Sequence, residues 1–232
     1  MAPTSTTIYF PPSGYSVSSL QDIIDGILLE RDDEKVSEPL RTEFRNINDT
    51  NNGFSAAMRF EVPKKESGWD GAEFGKTTHQ SRIRFTNSIS NGGMMIFGKS
   101  DLHNEIQSRL DDLLYEHGPD GFSPGELEQV EINRENIEDI LESDRLIESR
   151  ATYKSLDENT SSASLAGRLE ESDTAERFEQ RGNKVWVIYE SESYDRKVGL
   201  TSKNNAAVFY GDWNNDEMAI YWYRIILNEF DV

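Results

Sequence analysis

The sequence contains no cysteine, and it has only 24 lysine and arginine residues against 43 aspartates and glutamates. The absence of cysteine excludes disulfides, thiolate zinc sites, iron–sulfur clusters and a cysteine nucleophile. The longest apolar run, Met218–Tyr223, is far shorter than the roughly 20 residues that span a bilayer. The N-terminus also lacks the basic and apolar regions of a signal peptide. We therefore expect a cytoplasmic protein with no membrane segment and no cofactor.

Lysine is scarce even among the cations, with 9 lysines against 15 arginines, and the net charge is −19. Low lysine with high acid resembles haloarchaeal proteins, whose acidic surfaces stay hydrated in molar salt. This composition favours a salt-adapted archaeon, or its virus or plasmid, as the source, and a viral protein could lie within the virion. An ordinary acidic protein is the alternative interpretation.

The negative charge is unevenly distributed along the chain. Residues 119–181 carry 7 basic and 17 acidic groups, a net of −10 and over half of the excess. Residues 56–100 instead carry 7 basic and 4 acidic groups, a local +3. The total charge therefore indicates solubility and does not decide which partners the basic segment binds.

Apolar spacing in the first part of the chain predicts two helices around three strands. Ser18 and Gln21 are typical of a capping box, and Pro63 is expected to end the first strand. The polar stretches 31–53 and 66–78 are predicted to be loops, and Asn91-Gly92 a hairpin turn. The predicted elements are a strand at 8–10, a helix at 18–31, strands at 57–62, 82–86 and 94–97, and a helix at 101–117.

The second part begins with an acidic segment, 119–145, in which Ser123 and Asn133 are predicted to start helices. A linker is expected at 155–164. The remaining predicted elements are a strand at 147–153, a helix at 163–181, strands at 185–190, 197–201 and 206–210, and a final helix at 216–230, for which a strand is the alternative.

The two parts share an order of elements. Met94–Gly98 and Ala207–Gly211 are each followed by a capped helix, which predicts a repeated β–α–β–β–β–α unit. This order resembles one half of the TATA-binding-protein fold, which implies a curved antiparallel sheet backed by helices and no function. We expect an α+β protein with a first half at 1–118, an acidic helical insertion at 119–145 and a second half at 146–232.

A basic strand face is the main candidate site. Arg59, Arg82 and Arg84 alternate with apolar residues and should project to solvent, because successive strand residues face opposite sides. Lys64, Lys65 and Lys76 are predicted to lie in the adjoining loop. Such a face can bind an acidic protein surface or nucleic acid phosphates, or pair with acids of its own chain.

The segment 93–100 matches the phosphate-loop pattern G-x-x-x-x-G-K-[ST] through Gly93, Gly98, Lys99 and Ser100. Its interior, Met-Met-Ile-Phe, is typical of a strand, so nucleotide binding is the less favoured interpretation. His79, His103 and His117 do not have the spacing of a metal site, and no nucleophile elbow is present.

No catalytic or metal-ligating set emerges from the sequence. We therefore expect a non-enzymatic binding or assembly protein that uses an exposed sheet face, with a protein partner or self-association. The alternatives are a nucleic-acid-binding protein that uses the basic face, and a nucleotide hydrolase that uses residues 93–100.

Overall fold

The computed structural model describes residues 3–10, 16–50, 52–68, 71–87, 93–118, 127–132, 137, 140, 146–156, 160–169, 171–191, 194–203 and 205–223. These residues form an α+β fold with twelve strands and four α-helices, and its strands pair antiparallel. None of the described helices is long and apolar enough to cross a membrane.

The chain divides into two compact units. The first unit is Tyr9–Glu128, and the second consists of Met1–Ile8 with Gln129–Val232. The predicted boundaries at residues 118 and 145 remain predictions.

In the first unit, β2 to β6 form an antiparallel sheet in sequence order. One sheet face packs with the apolar stripe of α2 in a core that includes Met58, Phe60, Ile83 and Phe85. Burial of each such side chain contributes about 1.5–3 kcal/mol. The elements are β1 (Thr4–Phe10, whose last two residues belong here), α1 (Val17–Ile24), β2 (Leu28–Arg31), β3 (Leu40–Thr50), β4 (Gly53–Gly68), β5 (Gly71–Thr86), β6 (Gly93–Gly98), a 3₁₀ turn (Ser100–Leu102) and α2 (His103–His117).

In the second unit, the strands pair in the order β1-β12-β11-β10-β8-β9. The buried Trp222 indole donates a hydrogen bond to the hydroxyl of Thr6, which donates to the carbonyl of Ala207 at 3.3 Å. The elements are β7 (Glu128–Gln129), β8 (Leu146–Lys154), β9 (Ser162–Ala166), α3 (Asp173–Glu179), β10 (Asn183–Ser191), β11 (Arg196–Thr201), β12 (Ala206–Tyr210) and α4 (Asn215–Tyr221).

The first predicted helix is too long and wrongly capped. Ser16 is the N-cap and accepts a hydrogen bond from the Ser19 backbone N–H, and the helix ends at Ile24. Gly26 then takes a positive φ of 74°, which an L side chain disfavours, so the chain turns into β2. Helical spacing of the apolar residues overestimates the helix, because Ile27 follows the turn and Leu28 begins β2.

The loop predicted at 31–53 is wrong, because this stretch contains β3. Leu40, Thr42 and Phe44 are buried and alternate with exposed Arg41 and half-buried Glu43. A strand with one polar face requires apolar residues only at every second position. The many charged residues between and after these positions give the stretch the composition of a loop.

The loop predicted at 66–78 is also wrong, since β4 and β5 are 16 residues each. Pro63 does not end β4. The pairing of β3 with β4 reaches only Thr42 opposite Phe60, so Pro63 lies where β4 has a single paired neighbour. A proline is tolerated there because its missing N–H can face the open side of the strand.

Later elements are confirmed in part. The strands predicted at 94–97, 147–153, 185–190, 197–201 and 206–210 and the helix at 101–117 are confirmed. The linker at 155–164 and helix at 163–181 are replaced by β9 and the shorter α3. The Asn91-Gly92 turn, the helix starts at Ser123 and Asn133, and residues 224–230 lie outside the described residues.

The predicted six-element order occurs in neither unit. In chain order, five strands lie between α1 and α2, and the extra strand β9 precedes α3. Both units do contain a three-strand antiparallel meander followed by a helix, β4-β5-β6-α2 and β10-β11-β12-α4. The described order therefore supports an α+β fold without confirming the repeat.

Candidate functional site

Five arginines share the sheet face of the first unit that is opposite its core, and we call this surface the arginine face. Glu43 is paired with Arg59, and Ala57 with Arg82, so the odd residues of β3 and β4 and the even residues of β5 lie on one side. Arg59, Arg82 and Arg84 lie on this one side of the sheet, Arg84 half-buried, and their binding role stays a prediction. The arginines are Arg41, Arg45, Arg59, Arg82 and Arg84.

Acidic side chains on the same face pair with three of these arginines. Arg45 and Arg59 both contact the Glu43 carboxylate, at 2.9 and 3.3 Å, and Arg41 contacts Glu30 at 3.1 Å. The three arginine side chains remain 45–62% exposed. Exposed pairs of this kind contribute only about 0–1 kcal/mol, so a partner can displace them at little cost.

Arg82 differs from its neighbours because it is exposed and, within the described part of the chain, has no hydrogen bond or ion pair. The five arginines share their side of the sheet with three carboxylates, those of Glu30, Glu43 and Glu61. Arg84 is half-buried. Among the five arginines, Arg82 is therefore the exposed one whose charge no acid of the described residues offsets.

A shallow depression of about 280 Å³ opens on the β3 side of this face. Glu43 and its two partners, Arg45 and Arg59, all line this depression, so most of its polar groups carry charge. A depression of this kind fits protruding side chains of a macromolecule better than a small apolar ligand. Its lining residues are Leu28, Arg41, Glu43, Arg45, Arg59, Phe60, Glu61 and Thr78.

The three predicted lysines lie on strands, not in a loop. Lys65 and Lys76 share the side of the arginine face, whereas Lys64 points to the other side because it is one residue from Lys65. Lys76 is held by its own chain, through the Glu38 carboxylate at 3.1 Å and the Pro39 carbonyl at 2.7 Å. Lys64 and Lys65 are exposed.

Residues 93–98 of the phosphate-loop pattern form β6, whose pairs with β5 run from Gly93 opposite Thr86 to Phe97 opposite Arg82. Extended backbone in a ladder does not form the curled row of N–H groups that cradles phosphates. Lys99 is exposed, and Ser100 begins the 3₁₀ turn. The geometry therefore favours the strand interpretation of this segment.

A buried ionic cluster in the second unit was not expected from the sequence. Lys184 is 5% exposed, and its ammonium donates to Glu148 at 2.9 Å and contacts Glu179 at 2.7 Å. Burial lowers the pKa of Lys184, but the hydrogen bond to Glu179 and the charge of Glu148 outweigh it, so its pKa lies above 10.5. The cluster joins β8, β10 and α3, and a lysine within an otherwise ordinary strand gave no signal for it.

An aromatic cluster in the second unit surrounds Trp213. Its ring lies 5.1 Å from the Tyr194 ring and 5.0 Å from the Phe209 ring, and the Arg196 guanidinium is 5.3 Å above it. Arg196 also contacts Glu217 at 2.7 Å. The Asn214 backbone N–H, followed by Arg196, lowers the pKa of Glu217. The cluster therefore packs around the start of α4.

The sequence prediction does not include Arg41 and Arg45, because the polar composition of residues 31–53 predicts a loop. The signal was the alternation Leu40, Thr42, Phe44, which places the arginines on the other side.

No protein-family model matches the chain, and no curated protein is significantly similar to it.

Proposed function

We propose that this chain is a non-enzymatic binding or assembly protein that holds a protein partner against its arginine face. The observation that carries the proposal is Arg82, an exposed cation without a partner among the described residues, in a group of five arginines. Arginine is enriched where proteins bind each other, because its planar guanidinium forms paired hydrogen bonds with carboxylates.

A protein with acidic side chains fits this face better than a nucleic acid. Glu43 lies between Arg45 and Arg59, and Glu30 contacts Arg41, so acids are interleaved with the cations. A phosphate backbone would meet these carboxylates, and the whole chain carries −19. A protein surface can match both signs of charge by placing its own cations beside the glutamates.

The test compares two charge reversals in otherwise identical proteins. Arg82→Glu changes the arginine face, and Arg181→Glu makes the same change at an exposed arginine of the second unit. Immobilised wild-type and variant proteins are incubated with host lysate at native salt, and bound proteins are quantified by mass spectrometry. A partner retained by Arg181→Glu should be depleted at least about tenfold by Arg82→Glu, a change of about 1.4 kcal/mol. Equal recovery by both variants would contradict the proposal.

Nucleic-acid binding is the second candidate, because Arg82 and Arg84 are alternate residues of β5, about 6.8 Å apart along the strand. Two cations at this spacing can contact neighbouring phosphates. A filter-binding titration with a single-stranded oligonucleotide should then lose affinity in the Arg82→Ala/Arg84→Ala double variant. Binding equal to wild type would exclude this candidate.

Self-association, an intracellular location and a salt-adapted source remain predictions from composition. Light scattering after size-exclusion chromatography, at low and molar salt, gives the oligomeric state under both conditions and decides whether the partner is another copy.

A further inference from the structure

The strands β4 and β5 extend beyond both of their neighbours. Among the described residues, those from Glu61 opposite Thr78 to Gly68 opposite Gly71 pair only with each other, and we call this two-stranded segment the arm. Eight residues of a strand span about 27 Å. The arm therefore adds two long strand edges to the first unit.

Glu61 ends the pairing on the β3 side. Its carboxylate accepts the backbone N–H of Arg41 at 3.0 Å, a group that would otherwise be free to continue the ladder. Its own carbonyl accepts a hydrogen bond from the buried Arg109 guanidinium at 2.9 Å. The carboxylate and the carbonyl of Glu61 thus both hold hydrogen bonds at the base of the arm, where the pairing of β3 with β4 ends.

Ser81 ends the pairing on the β6 side. Its hydroxyl donates to the carbonyl of Phe97, and Gly98 follows with φ 159°. A Cβ on Gly98 would lie 3.0 Å from the Ser81 hydroxyl oxygen, so the residue at this close approach is a glycine. The backbone after β6 therefore diverges from β5 at Gly98. Within the described residues, β5 from Glu73 to Gln80 is paired with β4 only.

The two edges of the arm are not equivalent. The β4 edge contains Pro63, and the segment Glu38–Pro39 is tied across its base by Lys76. Proline and covering segments are the devices by which proteins block strand edges. The β5 edge from Glu73 to Gln80 contains no proline, and its Phe74 side chain is 38% exposed. Of the two edges of the arm, β5 keeps the one that no described residue covers and that suits the addition of a strand.

We propose that this edge, Glu73–Gln80, binds an extended acidic segment of another protein by adding it as a strand. The main chain of the segment would pair with the unpaired N–H and C=O groups of β5. Its alternate side chains would lie on the side of Lys65, Lys76 and Arg82. Lys76 already contacts Glu38 and Glu61, so acidic residues at every second position match the charges of Lys65 and Arg82. The inference rests on the proposed function, because it uses the positive charge of the arginine face.

A second copy of this chain does not supply the same chemistry through this edge. Between residues 73 and 80 the only carboxylate is Glu73, which points to the side opposite Lys76. Two such edges would therefore place two copies of Lys76 on one side, where the segment Glu73–Gln80 itself supplies no carboxylate. A nucleic acid would contact the arginines but leave the strand edge unpaired.

The test uses a fluorescently labelled eight-residue peptide of alternating Glu and Val, which matches the length of Glu73–Gln80. Fluorescence anisotropy with the full chain should give a dissociation constant below about 1 mM. The matched Lys/Val peptide should bind at least about tenfold more weakly. Absence of saturable binding, or equal binding of both peptides, would overturn the inference.

Strand pairing is tested on the peptide, which leaves the fold of the protein unchanged. The Glu/Val peptide with every backbone nitrogen methylated keeps its charge but cannot donate to β5, and it should bind at least about tenfold more weakly. Equal affinity of the methylated peptide would overturn the inference. Displacement of the peptide by a single-stranded oligonucleotide of equal charge concentration would also overturn it, in favour of nucleic acid.

The variants Arg82→Glu and Arg181→Glu separate the two proposals. Weaker peptide binding by Arg82→Glu alone, together with loss on methylation, supports both. Loss on methylation with unchanged affinity of Arg82→Glu would overturn the role of the arginine face, whereas the Lys/Val peptide tests the requirement for acidic residues. Loss by Arg82→Glu without an effect of methylation would keep the arginine face and overturn strand addition.

Discussion

The two units of this protein use positive charge in opposite ways. On the arginine face of the first unit, Arg41, Arg45 and Arg59 pair loosely with acids and keep about half of their side chains in water. In the second unit, Lys184 is withdrawn from water between Glu148 and Glu179. The same kind of ion pair is therefore exchangeable in one place and fixed in the other.

Burial explains this difference. An exposed arginine loses little by changing partner, since water and a new carboxylate replace the old contact. A buried ammonium cannot be left unpaired without a desolvation penalty of several kcal/mol. We infer that the arginine face is a surface for binding and that the Lys184 cluster stabilises its unit.

The largest expected effect follows from breaking the buried cluster. Lys184→Met removes the ammonium and leaves the Glu148 carboxylate buried, which should lower the free energy of unfolding by about 3–5 kcal/mol. The double variant Lys184→Met/Glu148→Leu removes both charges and should recover most of that loss. Chemical denaturation followed by circular dichroism measures both. A single variant as stable as wild type would contradict the structural role of the pair.

The same cluster predicts a pH dependence. Because the folded pKa of Lys184 lies above 10.5, its contribution to stability is fully present below pH 10.5. That contribution is lost as the pH rises through the higher folded value. Wild type should therefore destabilise more steeply above pH 10.5 than the double variant, in denaturation curves recorded at several alkaline pH values. If the stability of wild type and of the double variant fell equally with pH, the loss of stability at alkaline pH would come from groups other than Lys184.

Arg109 sharpens the comparison, because it is a buried cation in the unit with the exposed arginines. It is 1% exposed and contacts Glu105 at 2.8 Å as well as the Glu61 carbonyl. Arg109→Met leaves that carbonyl without its donor, at an expected cost of about 1–3 kcal/mol. Arg181→Met, at an exposed site, is the control and should change stability by less than about 0.5 kcal/mol. Equal effects would show that burial does not set the cost.

The smallest expected effect on stability is at Glu43. Glu43→Gln releases Arg45 and Arg59 from their shared carboxylate and should change the free energy of unfolding by less than about 1 kcal/mol. The net charge of the arginine face rises by one, so the Glu/Val peptide should bind more tightly, most clearly at low salt. Unchanged affinity in anisotropy titrations would mean that these two arginines do not contact the peptide.

The candidate site was predicted in part from its sequence. Arg59 and Arg82 were placed correctly because Met58, Phe60, Ile83 and the arginines alternate with a period of two, which only a strand with one buried face explains. Arg41 and Arg45 were missed, since the alternation around them is short and lies in a polar stretch. The arm was missed because Gly and Pro signals predicted breaks, and local propensity cannot see that an edge strand tolerates both.

The sequence by itself determined the absence of disulfides, the acidity of the chain, and the mixture of amphipathic helices with half-buried strands. These follow from composition and from periodicities that any fold of this chain must satisfy. Tertiary structure decided which charges are exposed and which are buried. Lys184, Arg109 and Arg82 are all single cations in regular elements, and only packing distinguishes them. The pairing of distant strands also decided where β3 leaves β4 and where β6 leaves β5, because strand register depends on contacts that no local pattern contains.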